Sequence, residues 1–293
     1  MRTASILMLL IVFSWSSGFA QSQKNTDRLA GDKLHGDKES VLAILYQQRA
    51  AEYTALCLQA YNLAKLKVNA ALANPVITRG DLPLAVITDL DETALDNSAN
   101  EAHQYLSDSV FDPGEFNRWI RSEQADTVPG SPEFFNYVDS LSTHGPKKID
   151  IYYISNRDTS MVSYTLDNMK KLGFPQCDPT HFKFKSTTSS KESRRQEVLQ
   201  DHQIVVLLGD NLIDLDAHFD GYQQTPDQRK AHVYDLKDKW GDLYIVFPNA
   251  YYGDWESYLY YQYRLEHKGV PPSDGKYIEE QRRDQLKAPA RPF

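Results

Sequence analysis

The sequence predicts an α/β protein built on a parallel sheet with helices on both faces. After Pro83, short apolar runs alternate with stretches of helical pattern, and each run is followed directly by polar or turn residues. The runs are continuously apolar rather than alternating, which is typical of parallel strands buried on both faces. They predict strands at Leu84–Ile87, Ile149–Ile154, Ile204–Leu208 and Leu243–Phe247.

The helical pattern begins before the first strand. From Ser40 to about Leu72, apolar residues recur at helical spacing, and no glycine or proline interrupts until Pro75. We interpret this stretch as one long helix or a pair of helices with a structural role. Helices are also predicted between the strands, roughly at Pro113–Arg121, Pro132–Ser142, Ser160–Leu172 and Lys191–Gln200.

The first 20 residues are typical of a cleavable secretory signal. Arg2 precedes an apolar run from Ile6 to Trp15, and the small residues Gly18 and Ala20 follow it. The run is short for a membrane span, which needs about 20 residues, although an uncleaved anchor remains the alternative. Because no cysteine lies near the cleavage site, we expect no lipid anchor and a periplasmic or secreted protein.

The mature chain is expected to form a single domain. Residues 21–38 are polar and predict a flexible leader, and residues 39–270 hold the α/β pattern with a small helical cap. The cap is expected to combine the N-terminal helices with residues of about 97–128, over the site. Residues 271–293 are rich in proline and charge and predict a loosely ordered tail.

The net charge bears on the class of binding partner, and the two cysteines bear on a possible disulfide. The net charge is −8, and removal of Arg2 with the signal makes it −9, which disfavours a nucleic-acid polymer as partner. Cys57 and Cys177 could pair in an exported protein, but the sequence does not decide this. A homodimer is compatible with the sequence, which does not determine the oligomeric state.

Carboxylates follow two of the predicted strands. Asp89 and Asp91 come directly after the first strand, and Asp210 and Asp214 follow the third. Because ligands of such sheets bind beyond the carboxyl ends of the strands, these side chains are expected to converge. A cluster of carboxylates suits Mg²⁺, which prefers oxygen ligands. A calcium hand starting at Asp89 is excluded, because its sixth and twelfth positions would be Ala94 and Asn100.

The remaining polar residues at strand ends and helix starts suit phosphoryl transfer. Ser155 and Asn156 follow the second strand, and Lys191 lies at a helix start. These groups could hold phosphate oxygens while Asp89 attacks phosphorus and Asp91 acts as general acid. We expect crowding by neighbouring carboxylates to raise the pKa of Asp91, which would favour activity at mildly acidic pH.

In this order the motifs resemble those of the haloacid dehalogenase superfamily. The run from Asp89 to Thr93, with Ser155, Lys191 and Asp210, resembles more closely the bacterial class C (DDDD-type) acid phosphatases of the lipoprotein e(P4) family, which includes a 5'-nucleotidase. The resemblance covers about residues 40–265. It implies a Rossmann-like fold of the haloacid dehalogenase type and hydrolysis of small phosphomonoesters, including 5'-nucleotides.

The resemblance also implies residue roles. Asp89 would be nucleophile and metal ligand, Asp91 would be acid/base and bind Mg²⁺ through its backbone carbonyl, and Asp210 would ligate the metal. Asp214 would support the metal directly or through water. Tyr252 matches an aromatic position that stacks on a nucleoside base. Two alternatives stay open, a non-catalytic nucleotide- or ligand-binding protein on the same scaffold and a phosphotransferase.

Overall fold

The fold was examined in a computed structural model that describes residues 40–287. The predicted signal peptide and leader lie outside the described residues. Within the described part of the chain, five strands form one parallel sheet in the order β5-β4-β1-β6-β7. The strands are β1 Leu84–Thr88, β4 Ile149–Asp158, β5 Phe182–Lys185, β6 Gln203–Gly209 and β7 Tyr244–Val246. A short antiparallel ladder, β2 Leu95–Asp96 with β3 Asp126–Thr127, lies apart from the sheet.

The four predicted strands are present, and β5 is an additional edge strand. Its sequence Phe-Lys-Phe-Lys alternates apolar and polar residues, and only the two phenylalanines are buried. An edge strand in which alternate side chains stay out of the core gives a period of two rather than an apolar run. Strand β5 therefore leaves no continuously apolar run in the sequence.

Helices cover both faces of the sheet, as predicted. The predicted N-terminal element is a pair, α1 and α2, which is broken at Ala50, where the backbone is extended. The helices of the described residues are α1 Val41–Arg49, α2 Ala51–Ala73, α3 Pro75–Arg79, α4 Ser98–Leu106, α5 Pro113–Ser122, α6 Ser131–His144, α7 Val162–Lys171, α8 Glu192–Asp201, α9 Pro226–Asp235, α10 Asp254–Ser257, α11 Tyr261–Glu266 and α12 Gly275–Asp284.

The larger core lies between the sheet and helices α2, α6 and α7. Helix α2 presents small and aromatic residues to it, among them Cys57, Ala64 and Val68, all fully buried. The ring of Tyr61 lies 4.6 Å from that of Phe247, centroid to centroid. Each fully buried large apolar side chain contributes about 1.5–3 kcal/mol, so this face anchors the strand ends that carry the polar residues. A second cluster, with Ile87 and Val198, covers the opposite face.

The C-terminal segment differs from the expected loose tail, because residues Gly275–Asp284 form helix α12. The side chain of Asp274 accepts a hydrogen bond from the amide of Tyr277, which caps the helix start. Arg282 Nη2 lies 2.5 Å from Glu256 Oε1 and ties α12 to α10. The polar composition concealed this helix, since tertiary contacts rather than an apolar face hold it.

Two further points concern the described residues as a whole. Cys57 and Cys177 are both free, so they form no disulfide in residues 40–287. Over the same residues, no helix is both long and apolar enough to cross a bilayer.

Candidate active site

The parallel sheet brings the predicted carboxylates together at one edge. Strands β1 and β6 are neighbours, and Thr88 pairs with Leu208 near the end of each strand. The amide of Asp89 donates to the carbonyl of Leu208 over 2.9 Å, which places Asp89 beside the start of the Asp210 loop. One ligand oxygen each from Asp89, Asp210 and Asp214 lie within 4.8 Å of one another.

This cluster fits a hard divalent cation. Its three donors are carboxylates, and oxygen-only sets of this kind suit Mg²⁺. Burial, followed by the charge of neighbouring carboxylates, raises the pKa of Asp210 well above its usual range. Burial does the same for the pKa of Asp89, although Lys191 opposes it. A bound cation would offset this repulsion, so these three carboxylates fit a divalent metal ion.

Gly209 lets the cluster close. A Cβ atom at position 209 would lie 2.5 Å from the Cβ of Asp214, far inside contact distance. The carboxylate of Asp214 in turn accepts from the backbone amide of Asn211 over 3.0 Å. A side chain at 209 would therefore push Asp214 away from Asp89 and Asp210.

Lys191 lies between two of the carboxylates. Its ammonium contacts Asp89 and lies 2.7 Å from Oδ1 of Asp214. Burial disfavours the charged lysine, but the two carboxylates outweigh burial and raise its pKa. The ammonium of Lys191 is therefore held between Asp89 and Asp214.

Asp91 is not one of the three carboxylates of this cluster, and Arg157 holds its side chain. Arg157 Nη2 lies 2.7 Å from Asp91 Oδ1, and Nε lies 3.0 Å from the same oxygen. Burial favours the protonated acid, but the charge and hydrogen bonds of Arg157 outweigh it, and the pKa of Asp91 is lowered. The expectation that crowding raises this pKa is wrong, because the sequence did not reveal that the guanidinium of Arg157 is the group facing Asp91.

The predicted phosphate-binding residues divide into two groups. The hydroxyl of Ser155 donates to Asp91 Oδ2 over 3.3 Å and accepts from the amide of Arg157 over 3.1 Å, so it lies inside the site with Lys191. The side-chain oxygen of Asn156 instead accepts from Arg194 Nη2 over 2.6 Å. The side-chain oxygen of Asn156 is therefore taken by Arg194, and a phosphate contact from Asn156 stays a prediction.

Tyr252 contacts Glu92, the residue that follows Asp91 in the chain. Its hydroxyl donates to Oε2 of Glu92, which is buried and has a positive φ of 61°. Burial, and next the charge of Asp91, raise the pKa of Glu92 well above its usual range. The ring is partly exposed, and stacking on a base stays a prediction.

Sequence reasoning gave no role to three residues that shape the site. Arg157 holds Asp91, Asn249 donates to Asp210 Oδ2 over 2.9 Å, and Asn97 donates to Asp91 Oδ1 over 2.9 Å. Asn249 is 39 positions from Asp210 in the sequence, and neither Asn249 nor Asn97 carries a charge that would mark it as a site residue. Arg157 stands directly after Ser155 and Asn156 in the predicted strand-end motif, and this position was a signal for it.

Fold and site define an α/β protein of the haloacid dehalogenase type, with aspartates at the carboxyl ends of the strands of a parallel sheet. The model of the haloacid dehalogenase superfamily, subfamily IIIB (acid phosphatase), matches residues 16–255. The chain belongs to this family and is a phosphomonoester hydrolase. The alternative of a non-catalytic binding protein is therefore set aside.

Solved structures agree with this assignment. The class C acid phosphatase from Bacillus anthracis is 35% identical, with a TM-score of 0.75, over 87% of this chain and 99% of that one. The same Bacillus anthracis enzyme with tungstate bound is also 35% identical, with a TM-score of 0.75, over 86% of this chain and 98% of that one.

Proposed function

We propose that the chain is an exported, Mg²⁺-dependent acid phosphatase that uses Asp89 as nucleophile and Asp91 as general acid. The observation that carries the proposal is the separation of the two aspartates. Asp89 lies with Lys191 and the other carboxylates of the metal cluster, whereas Asp91 is held apart by Arg157. Two carboxylates in different surroundings can take two different roles in one reaction.

The groups suit a two-step displacement. The carboxylate of Asp89 attacks phosphorus, the bond from phosphorus to the ester oxygen breaks, and Asp91 gives its proton to the departing alcohol. Asp91 then takes a proton from water, whose oxygen attacks the aspartyl-phosphate, so that phosphate leaves and Asp89 is restored. Bound Mg²⁺ would neutralise charge on the transferring phosphoryl group. Ser155 and Lys191 would hold its remaining oxygens.

The lowered pKa of Asp91 bears on the pH dependence. Because Arg157 favours the carboxylate, the protonated acid becomes more populated only as the pH falls. Turnover with leaving groups that need a proton is therefore expected to be favoured under acidic conditions.

The substrate is proposed to be a small phosphomonoester, including 5'-nucleotides. The tungstate-bound Bacillus anthracis structure supports an oxyanion site in the family, since tungstate is tetrahedral like phosphate. The partly exposed ring of Tyr252 close to Asp91 supports an aromatic contact with the leaving group. Helices α4 and α5, with α1 packed on α4, are proposed to form the cap.

Export rests on the sequence of residues 1–20. The apolar run and the small residues after it are those of a secretory signal, which would deliver the enzyme to the periplasm or the medium. N-terminal sequencing of the protein recovered from the periplasmic fraction tests this. Recovery of Met1 in the cytoplasmic fraction would contradict it.

Replacement of the nucleophile tests the chemistry. Asp89→Asn keeps the shape of the side chain and removes its negative charge, so hydrolysis of p-nitrophenyl phosphate with Mg²⁺ should fall by at least about 10³-fold. Asp201→Asn makes the same change at an exposed position away from the site and should leave the rate unchanged. Near wild-type hydrolysis by the first variant would overturn the proposed mechanism.

A further inference from the structure

Asn97 is fully buried beside Asp91 and Glu92, and each of its polar groups has a hydrogen-bond partner. Its backbone amide donates to Glu92 Oε1 over 2.9 Å. Its side-chain Nδ2 donates to Asp91 Oδ1 over 2.9 Å and to Glu92 Oε2 over 3.3 Å. Its side-chain Oδ1 accepts from the indole Nε1 of Trp119 over 2.9 Å. One amide thus connects helix α5 with Asp91.

The indole of Trp119 favours the same orientation of this amide as the carboxylates of Asp91 and Glu92 do. An indole N–H can only donate, so it requires the Oδ1 end of Asn97. The opposite orientation would set the NH₂ group against the N–H of Trp119 and the carbonyl oxygen against the carboxylate oxygens of Asp91. Each buried group left without a partner costs about 1–3 kcal/mol, which holds the observed orientation.

The two donors leave the oxygens of Asp91 unequal. Oδ1 accepts from Asn97 Nδ2 and, at 2.7 Å, from Arg157 Nη2. Oδ2 has only longer contacts, 3.3 Å to the hydroxyl of Ser155 and 3.2 Å to Nε of Arg157. Oδ2 is therefore the less tightly held oxygen of Asp91, and it lies beside the hydroxyl of Ser155.

We propose that Trp119 is a positioning residue for the general acid: its indole N–H orients the amide of Asn97, which holds Oδ1 of Asp91 and leaves Oδ2 to protonate the leaving group. The inference rests on the proposed role of Asp91 as general acid. It assigns helix α5 a part in catalysis beyond covering the site, because Trp119 acts from that helix through Asn97.

Leaving-group dependence separates this role from a structural one. The value of kcat/KM reports the steps up to departure of the alcohol, and a misplaced acid slows that departure most when the alcohol is a poor leaving group. Trp119→Phe keeps a ring and removes the N–H donor. Its kcat/KM should fall roughly 10-fold or more for an alkyl phosphate such as glycerol 2-phosphate, and about twofold or less for p-nitrophenyl phosphate.

Two further variants calibrate the measurement. Phe116→Leu changes a neighbouring ring on α5 and should leave both kcat/KM values near wild type. Asp91→Asn removes the acid itself and should show a steeper leaving-group dependence than Trp119→Phe. If Trp119→Phe folds poorly, Trp119→3-benzothienylalanine keeps the two-ring shape without the N–H and replaces it in the same assay.

The outcomes distinguish the two proposals. The positioning role alone is overturned by a pair of results. Asp91→Asn shows a steep leaving-group dependence of kcat/KM, and the Trp119 variant loses kcat/KM equally on both substrates or not at all. The same leaving-group dependence in Asp91→Asn as in wild type overturns the proposed mechanism and this inference with it. A selective loss on glycerol 2-phosphate in both variants supports the positioning role of Trp119.

Discussion

The guanidinium of Arg157 forms an ion pair with the carboxylate of Asp91, with 2.7 Å between Nη2 and Oδ1. Only 1% of the Arg157 side chain is exposed. The remaining nitrogen, Nη1, donates to Oγ1 of Thr165 over 3.0 Å, so the guanidinium is fixed on both sides. The pair lowers the pKa of Asp91 despite burial. Arg157 therefore orients the carboxylate of the proposed acid together with Asn97 and is the main group that lowers its pKa.

Removal of this arginine should change the pH profile in a defined direction. Because Arg157 stabilises the carboxylate, Arg157→Gln should raise the pKa of Asp91 and populate the protonated acid at higher pH. The alkaline limb of kcat/KM for glycerol 2-phosphate should then move to higher pH. An alkaline limb at the wild-type position, in a variant confirmed to be folded by circular dichroism, would show that Asp91 does not control it.

Loss of Lys191 should destabilise the fold as well as the site. Lys191→Met leaves Asp89 and Asp214 buried without their cation, which should cost about 3–5 kcal/mol in the free energy of unfolding measured with urea. Lys183→Met is the matched control, because the Lys183–Glu197 pair is partly exposed and should cost less than about 1 kcal/mol. Equal losses in the two variants would contradict the special position of Lys191.

Metal removal should affect both activity and stability. Treatment with EDTA should abolish hydrolysis and lower the thermal midpoint, and Mg²⁺ should restore both, because a ligand that binds only the folded state stabilises it. Asp210→Asn weakens the carboxylate cluster and should reduce the Mg²⁺-dependent rise in the midpoint. Full activity in the presence of EDTA would contradict a metal-dependent site, and a preference for Mn²⁺ or Zn²⁺ would contradict Mg²⁺ alone.

Gly209→Ala tests the close approach of the Asp210 loop. The new methyl group would meet Asp214 at 2.5 Å, so we expect a loss of about 1–3 kcal/mol in stability and a weakened metal response. Gly80→Ala is the control, since its φ of −62° suits alanine and the nearest atom is 3.4 Å away. That change should be neutral or slightly stabilising. Similar behaviour of the two variants would refute the packing argument.

A charge cluster at the opposite edge of the sheet should give stability at mildly acidic pH. Asp150 Oδ2 lies 2.9 Å from His202 Nε2, and Oδ1 lies 3.6 Å from His181 Nε2. Hydrogen bonding to Asp150 raises the pKa of His181. Burial opposes ionisation of Asp150, but hydrogen bonds from His181, Lys148 and His202 outweigh it and lower its pKa.

The stability from the lowered pKa of Asp150 is lost at low pH, and the stability from the raised pKa of His181 is lost at higher pH. The lowered pKa of Asp150 contributes stability above its unfolded pKa of about 4, and this contribution is lost as the pH falls through the folded value. The raised pKa of His181 contributes stability below its unfolded pKa of about 6.5, and this contribution is lost as the pH rises through the folded value. Urea unfolding of His181→Gln should show its largest loss between about pH 4 and 6.5 and little loss at pH 9. A loss independent of pH would contradict the linkage.

The sequence pattern was sufficient to predict four of the five strands of the sheet and the carboxylates that follow them. Continuous apolar runs reveal buried parallel strands, and the strand ends of such a sheet share one edge, so Asp89 and Asp210 could be placed together in advance. Strand β5 was not predicted because its residues alternate in polarity at the edge of the sheet. Helix α12 was not predicted because it is polar and is held by contacts such as that of Arg282 with Glu256.

The sequence by itself determined the α/β class, the carboxylate pair after the first strand and the candidates for phosphate binding, because each depends on local pattern and chain order. Only the tertiary structure decided that Arg157 faces Asp91 and that Trp119 reaches Asn97. These contacts join residues 66 and 22 positions apart, and their effects depend on distance and burial. The protonation of an acid depends on which charge lies closest in space, and no spacing along the chain specifies that neighbour.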